Sequence, residues 1–220
     1  MTDSKSTKST KSTRGRRPAE QGPAREDILR AAIKNFTEHG FEGARIAKIA
    51  DLAGVRHPLV SYYFGNKGSL WDAVVEELWS GFWRTFKDAA VELQGIEPAQ
   101  RLRLLYRRYA LFSAERPELH RLVAIESFSP GPRLDRLAQH YYAPFEATML
   151  SMIEDATEIE NSPDPLYLMS MMNGAVLSFI VAAPLVQRVH NFDPTEQSRA
   201  LAMADAVMDI VLHGISKDKK

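Results

Sequence analysis

Five side chains crowd one short stretch and have the chemistry to read the edges of bases: Arg56, His57, Ser61, Tyr62 and Tyr63. A guanidinium can donate two bonds to a guanine edge, and an imidazole can donate to a base or a phosphate. A tyrosine can bond a phosphate and press its ring on sugar or a thymine methyl, while Ser61 is short enough to need a bridging water. Arg45 and Lys48 lie just upstream and Lys67 just downstream. Such cations neutralise phosphates and make binding salt-dependent without reading sequence. Further upstream, Arg14-Gly15-Arg16-Arg17-Pro18 is a candidate minor-groove hook. Arginines on an extended, glycine-bearing segment suit the narrow, electronegative A·T groove. The plainer reading of that arm is non-specific attraction to phosphate.

These residues need a scaffold that holds them on one face. Ile46, Ile49, Ala50 and Ala53 fall on one side of a helix over about Arg45–Ala53. Gly54 can take the positive φ of a sharp corner. Val55 and a second short helix, about Arg56–Phe64, follow; Val55, Leu59 and Val60 supply the next apolar contacts, Phe64 reads as core, and the polar side chains are left partly outward. Pro58 falls in its first turn, where a missing N–H costs nothing. A supporting helix, about Arg25–His39, carries the apolar stripe Ile28, Leu29, Ala32, Ile33 and Phe36. Gly40 is placed to end it. Two short helices around a glycine corner form the helix-turn-helix pattern, whose second helix enters the DNA major groove.

The string His39-Gly40-Phe41, Ile49-Ala50, Ala53-Gly54-Val55, Tyr62-Tyr63-Phe64 and Lys67 resembles the DNA-binding half of a TetR-type repressor, over roughly residues 25–75. Two positions depart from the family habit. Ala44 stands where a helix-capping Thr is usual, and Ser61 replaces the Tyr before the aromatic triplet. The resemblance implies an all-α fold, with an N-terminal three-helix DNA-binding domain and a C-terminal helical ligand-binding and dimerisation domain. On that basis residues 1–24 are a flexible basic arm, 25–68 the DNA-binding domain, and 69–220 the rest.

The remaining chain reads as long amphipathic helices broken at Pro117, Ser129-Pro130-Gly131-Pro132, Ser162-Pro163-Asp164-Pro165 and Asp193-Pro194. They span Ser69–Leu93, Ala99–Glu115, Glu118–Phe128, Arg133–Ile159 (bent at Pro144), Leu166–Val189 and Thr195–Ile215, giving about nine helices in all and no strand. The last two carry a wide apolar stripe: Leu166, Met169, Met172, Val176, Phe179, Ile180 and Ala183, then Leu201, Ala204, Met208, Val211, Leu212 and Ile215. The resemblance implies that these two helices pair with their copies in a homodimer. It also implies a pocket for an unknown small-molecule effector in the middle helices. Trp83, Tyr106, Tyr109, Phe128, Tyr142, Phe145 and Met149 are its candidate lining residues, although aromatics and Met at helical spacing are more often plain core. Arg107, Arg108, His120 and His140 could anchor an acidic or polar ligand.

Composition narrows the function classes. The chain has 220 residues, 45% hydrophobic and 25% charged, without cysteine, so disulfides and thiolate metal sites are excluded. Its net charge is zero, but residues 1–68 hold 13 Lys/Arg against 7 Asp/Glu. A basic front and an acidic rear favour a polyanionic partner, double-stranded DNA, for the front alone. No cofactor, metal or membrane contact is expected, the basic N-terminus does not read as a secretory signal, and a cytoplasmic location is expected. No catalytic constellation stands out: the six histidines are scattered and no Glu-x-x-His string occurs. The expectation is therefore a ligand-responsive regulator that, as a dimer, represses from a palindromic operator and is released by an inducer. The alternative is a helical small-molecule-binding or adaptor protein with a degenerate DNA-binding head.

Overall fold

The computed structural model describes residues 21–157 and 163–215. Arg14, Arg16 and Arg17 lie outside the described residues. The described residues form helices as their regular structure, with no strand among them. In order they are α1 Gln21–Gly43, α2 Ile46–Leu52, α3 His57–Phe64, α4 Lys67–Glu92, α5 Pro98–Glu115, α6 Glu118–Ser127 and α7 Pro132–Arg136, then α8 Ala143–Ala156, α9 Pro165–Val176, α10 Ala183–His190 and α11 Gln197–Ile215. Two π-helical segments, Leu137–Tyr142 and Leu177–Val181, join α7 to α8 and lead out of α9.

The first helix buries Ile28, Leu29, Ala32 and Phe36 as its stripe requires. It runs past the expected stop. Gly40 takes φ 66 and ψ 178, a region open only to glycine, and the chain winds on for three more residues. That swing lays Phe41 parallel to Phe36, with ring centroids 6.1 Å apart, and edge-on to Trp71 at 6.4 Å. It also brings the Gly40 backbone against α6, so that a Cβ there would stand 3.0 Å from Ile125.

Arg45 and Arg56 are not inside their helices but at the N-caps of α2 and α3, both extended and neither helix capped by its own side chain. α2 is instead held from α1. The amide oxygen of Asn35, buried on α1, accepts the Arg45 N–H at 3.3 Å. This bond ties the entry of α2 to α1, while Ala44 is itself packed inward. The corner follows expectation, with Gly54 at φ 66 and the Val55 N–H donating to the Ala50 carbonyl at 3.0 Å.

α4 starts two residues earlier than its apolar spacing indicates, because Asn66 caps it and accepts the Ser69 N–H at 2.9 Å. Trp71 on its first half closes the head against Phe41. Phe82 on its second half touches Phe112 at 5.3 Å, Phe145 at 5.1 Å and Tyr109 at 6.2 Å, closing the body. α11 lies along α5, and the Arg103–Asp209 and Arg107–Asp205 ion pairs, each 2.6 Å, flank the contact.

Two long helices are broken differently from expectation. Each π segment lies just before a proline in the first turn of the next helix, Pro144 in α8 and Pro184 in α10. Proline lacks the N–H that would bond four residues back, and the wider π turn absorbs the defect. At the second site the expected single helix Leu166–Val189 bends by 67°. The apolar stripe of the last two helices also falls differently. Met169, Met172, Val176, Ile180, Ala183, Ala204, Met208 and Val211 are buried in their own subunit's core. The outward face carries other residues: Tyr167, Met171, Leu185, Val189 and Ile210 are exposed.

The two positive-φ glycines of the head should differ in how well they tolerate a side chain. Gly40→Ala combines backbone strain with the Ile125 contact and should lower the unfolding free energy by about 2–3 kcal/mol. Gly54→Ala meets open space and should cost only about 1 kcal/mol. Urea denaturation of both variants measures the difference.

Candidate functional site

The head presents a coherent outward face. Arg56, His57, Ser61 and Tyr62 are exposed along α3, and Tyr62 is 69% accessible. Tyr63 is half-buried beneath it, with the two rings edge-to-face at 5.2 Å. Val60 and Phe64 hold the helix from behind. The Arg25 guanidinium lies over Phe64 at 5.1 Å and shields that inner side. Arg45 and Lys48 are exposed at the start and middle of α2. Lys67 is placed differently from a free phosphate anchor. Its ammonium donates to the Glu42 carbonyl at 3.3 Å and lies 4.8 Å over the Phe41 ring.

Behind the head, the body carries a cavity in two adjoining parts, the outer one open to solvent at Ser127, Ala138 and Leu177. The inner part, about 50 Å³, is lined by Trp79, Phe82, Tyr109, Leu119, His120, Val123, Tyr142, Phe145, Asn173 and Leu177. The outer part, about 300 Å³, is lined by Val123, Ala124, Ser127, Leu134, Leu137, Ala138, Tyr142 and Leu177. The shared residues Val123, Tyr142 and Leu177 join the two. No charged side chain lines either part.

The candidate lining residues divide accordingly. Tyr109, Tyr142 and Phe145 line the inner cavity. Tyr106 and Met149 border only a small void deeper in the core, of about 10 Å³, and the Tyr106 hydroxyl donates to the Met172 carbonyl at 2.7 Å. Trp83 packs on Phe82 and Phe145 and lines neither part. Phe128 stands 88% exposed at the end of α6, because the chain breaks there before it can turn inward. The acidic-ligand anchors do not converge on the cavity either. Arg107 grips Asp205 and Arg108 grips Glu92 at 2.7 Å, both pairs outside the cavity, and His140 is exposed.

His120 does reach the cavity, but as a neutral group. Burial pushes its pKa down to about 4. The Ser113 hydroxyl donates to the Tyr109 carbonyl at 2.7 Å, so its oxygen is left to accept from His120 Nε2 at 2.8 Å. With the Ser113 proton given to the Tyr109 carbonyl, Nε2 carries the ring proton and Nδ1 is an acceptor. The residue composition had not singled out Asn173, Leu177 or Val123. Asn173 carried a signal: it is an amide on an otherwise apolar helix face.

One side of α6 walls the cavity and the other meets the head. Val123 and Ser127 line the outer part, while Ile125 faces Gly40. Glu126, with a side chain only 3% accessible, accepts from Arg133 Nε at 2.9 Å. The same guanidinium reaches Glu42 of the head at 3.3 Å and covers the Phe41 ring at 3.9 Å.

Comparison with known proteins places this arrangement. The model for bacterial regulatory proteins of the tetR family matches residues 28–74, which hold α2, α3 and most of α1. The model for the C-terminal domain of the HTH-type transcriptional dual regulator CecR matches residues 98–215, more than half of the chain. The chain belongs to the TetR family of transcriptional regulators. It is similar to the HTH-type regulator RutR of Escherichia coli K12, with 26% identity over 91% of this chain and 94% of that one. It is also similar to the repressor NicS of Pseudomonas putida, with 32% identity over 53% of this chain, which spans about half of NicS (54%). The crystal structure of FadR from Bacillus subtilis in complex with stearoyl-CoA shares the fold, with TM-score 0.63 and 18% identity over 86% of this chain and 98% of that one. TetR-family regulators bind DNA operators, usually as dimers with small-molecule effectors, and are not enzymes. Among the described residues of this member, no single helix is long and apolar enough to cross a membrane.

The depressed His120 pKa has a measurable consequence for the fold. The unfolded chain takes up a proton near pH 6.5 that the folded protein refuses until about pH 4. The contribution is complete above pH 6.5 and is lost as pH falls from 6.5 toward 4. Denaturation midpoints measured across this window should fall, and His120→Phe should flatten the slope.

Proposed function

We propose that this TetR-family regulator acts as a homodimeric repressor on a palindromic operator and is released by a small-molecule inducer. Residues 25–68 form the DNA-binding domain, 69–220 form the effector and dimerisation domain, and residues 1–24 serve as a basic arm that adds phosphate or minor-groove contacts through Arg14, Arg16 and Arg17. The observation that carries this reading is the exposed face of α3. Arg56, His57, Ser61 and Tyr62 point outward together while Val60 and Phe64 anchor the helix. Arg56 reads a base edge, Arg45 and Lys48 hold phosphates, and Tyr63 and Lys67 support the helix and its junction. Asn35 ties the start of α2 to α1 through the Arg45 N–H, which weighs against a degenerate head.

Two copies are needed to place two α3 helices about 34–36 Å apart on successive major grooves. The outward apolar face of α9, α10 and α11 is the surface we assign to that pairing, with Tyr167, Met171, Leu185, Val189 and Ile210 exposed. Exposed apolar side chains on these helices favour coverage by a self-complementary partner. The route from effector to DNA runs through α6, which is both a cavity wall and the seat of the head. A ligand that prefers a state with misplaced reading helices lowers DNA affinity in proportion to that preference.

Three substitutions test the assignment on sites obtained by footprinting the purified protein on genomic DNA. Arg56→Ala should cost about 1–3 kcal/mol and flatten the preference at one base pair of each half-site. Lys48→Ala should weaken all sequences alike and reduce the salt slope by about one per subunit. Equal, sequence-blind losses from both would remove Arg56 as a reader. Ile210→Glu should convert the dimer to monomer in sedimentation velocity and abolish tight footprints. A monomeric wild-type protein with intact footprints would overturn the pairing.

A further inference from the structure

The cavity walls carry more chemical information than a volume. The indole N–H of Trp79 is buried and, among the described residues, is the one buried side-chain nitrogen or oxygen without a hydrogen-bond partner. Trp79 is 3% exposed and lines the inner cavity. Orphaned donors of this kind are rare in native proteins and mark a missing partner. Across the same cavity stands His120, locked by Ser113 so that Nδ1 is an acceptor. Asn173 and Tyr142 complete the polar set, with their amide nitrogen and hydroxyl 3.5 Å apart, too long for a strong bond. The other polar side chains on these walls are Tyr109 and Ser127, whose hydroxyl donates to the Val123 carbonyl; the remaining lining is hydrocarbon.

Charge is absent from both chambers, and the chain keeps it absent. Burial holds His120 neutral and raises the pKa of Tyr109 and Tyr142. The nearby cations are spent elsewhere, Arg107 on Asp205 and Arg108 on Glu92. A carboxylate or phosphate placed in the inner chamber would lose its hydration and find no counter-ion, and an ammonium would find no carboxylate. The inner chamber, at about 50 Å³, has room for a small group only, whereas the outer one, at about 300 Å³, is walled by Val123, Leu134, Leu137 and Leu177.

We infer that the effector is an uncharged, largely apolar molecule with one small hydrogen-bonding end, a hydroxyl or carbonyl, which accepts from Trp79 Nε1 beside His120 Nδ1 while its apolar body fills the outer chamber. A hydroxyl satisfies both groups, since it accepts from the indole and donates to the imidazole. The inference rests on reading the chain as a ligand-responsive regulator, but its test needs no DNA.

Calorimetry on the full-length protein with four matched compounds decides it: 4-propylphenol, propylbenzene, 4-propylbenzoate and 4-propylphenyl-trimethylammonium. The phenol should bind at least tenfold more tightly than either ion and about three- to tenfold more tightly than propylbenzene. Trp79→Phe should erase most of the preference for phenol over propylbenzene. Ala138→Trp, at an exposed position on the outer wall, should block the phenol without changing the melting temperature. Tighter binding of either ion overturns the inference, as does a phenol that fails to bind or binds both variants as it binds the parent. The regulator reading fails separately. A protein that binds the phenol yet ignores genomic DNA keeps the cavity chemistry and loses the DNA function. A protein with firm footprints that prefers the benzoate does the reverse.

Discussion

Everything in this molecule is hung on the apolar side of α4. One helix of 26 residues supplies Trp71 to the core of the head and Trp79, Phe82 and Phe86 to the core of the body. Phe82 sits at the centre, with six aromatic neighbours drawn from α4, α5 and α8. Each buried aromatic of this size contributes about 1.5–3 kcal/mol by leaving water. Because the residues share one helix, a movement in one core is passed along α4 to the other. The reading helix, the cavity and the junction between them are therefore linked through that helix.

That constraint explains why the cavity is where it is. The aromatic cluster packs tightly around Phe82 but leaves a gap where α6, the π segment before α8 and the end of α9 approach it. The π segments widen the helices at Leu137–Tyr142 and Leu177–Val181, and both contribute wall residues, Tyr142 and Leu177 among them. The prolines that force those turns thus shape a binding space without touching it. The same region stays uncharged because ion pairs on the outside of α5 absorb the arginines.

Much of this could be read from the order of residues. Gly54 between two apolar runs located the corner, and the alternation of buried and outward positions along α3 named the exposed face. Among the described residues nine helical stretches also remain if each run of helix and π segment is taken together, although the second such run is bent by 67°. What escaped reading depended on partners distant in sequence. Asn35 ties down a helix start ten residues away, and nothing in its neighbourhood marks it for that role. Glu126 looks like any surface glutamate until Arg133 folds back on it across the Pro130-Gly131 break. Spacing put Met169, Met172 and Met208 on one stripe, apart from Met171 and Ile210, but could not say whether that stripe meets its own subunit or a copy. Phe128 illustrates a related limit: an aromatic at a helix end follows the local turn, not the periodicity.

Arg133 holds its two carboxylates under unequal conditions. Glu126 is shut away from water, so tearing it from the guanidinium would strand a charge, at about 3–5 kcal/mol. Glu42 is 82% open to solvent, and such a link is worth about 1 kcal/mol or less. Any parting of head from body therefore has a preferred line of cleavage, along the Glu42 and Phe41 side, with the guanidinium staying behind on the body. A seam that tears cleanly on one side and not the other can be opened and resealed repeatedly without unpicking the core.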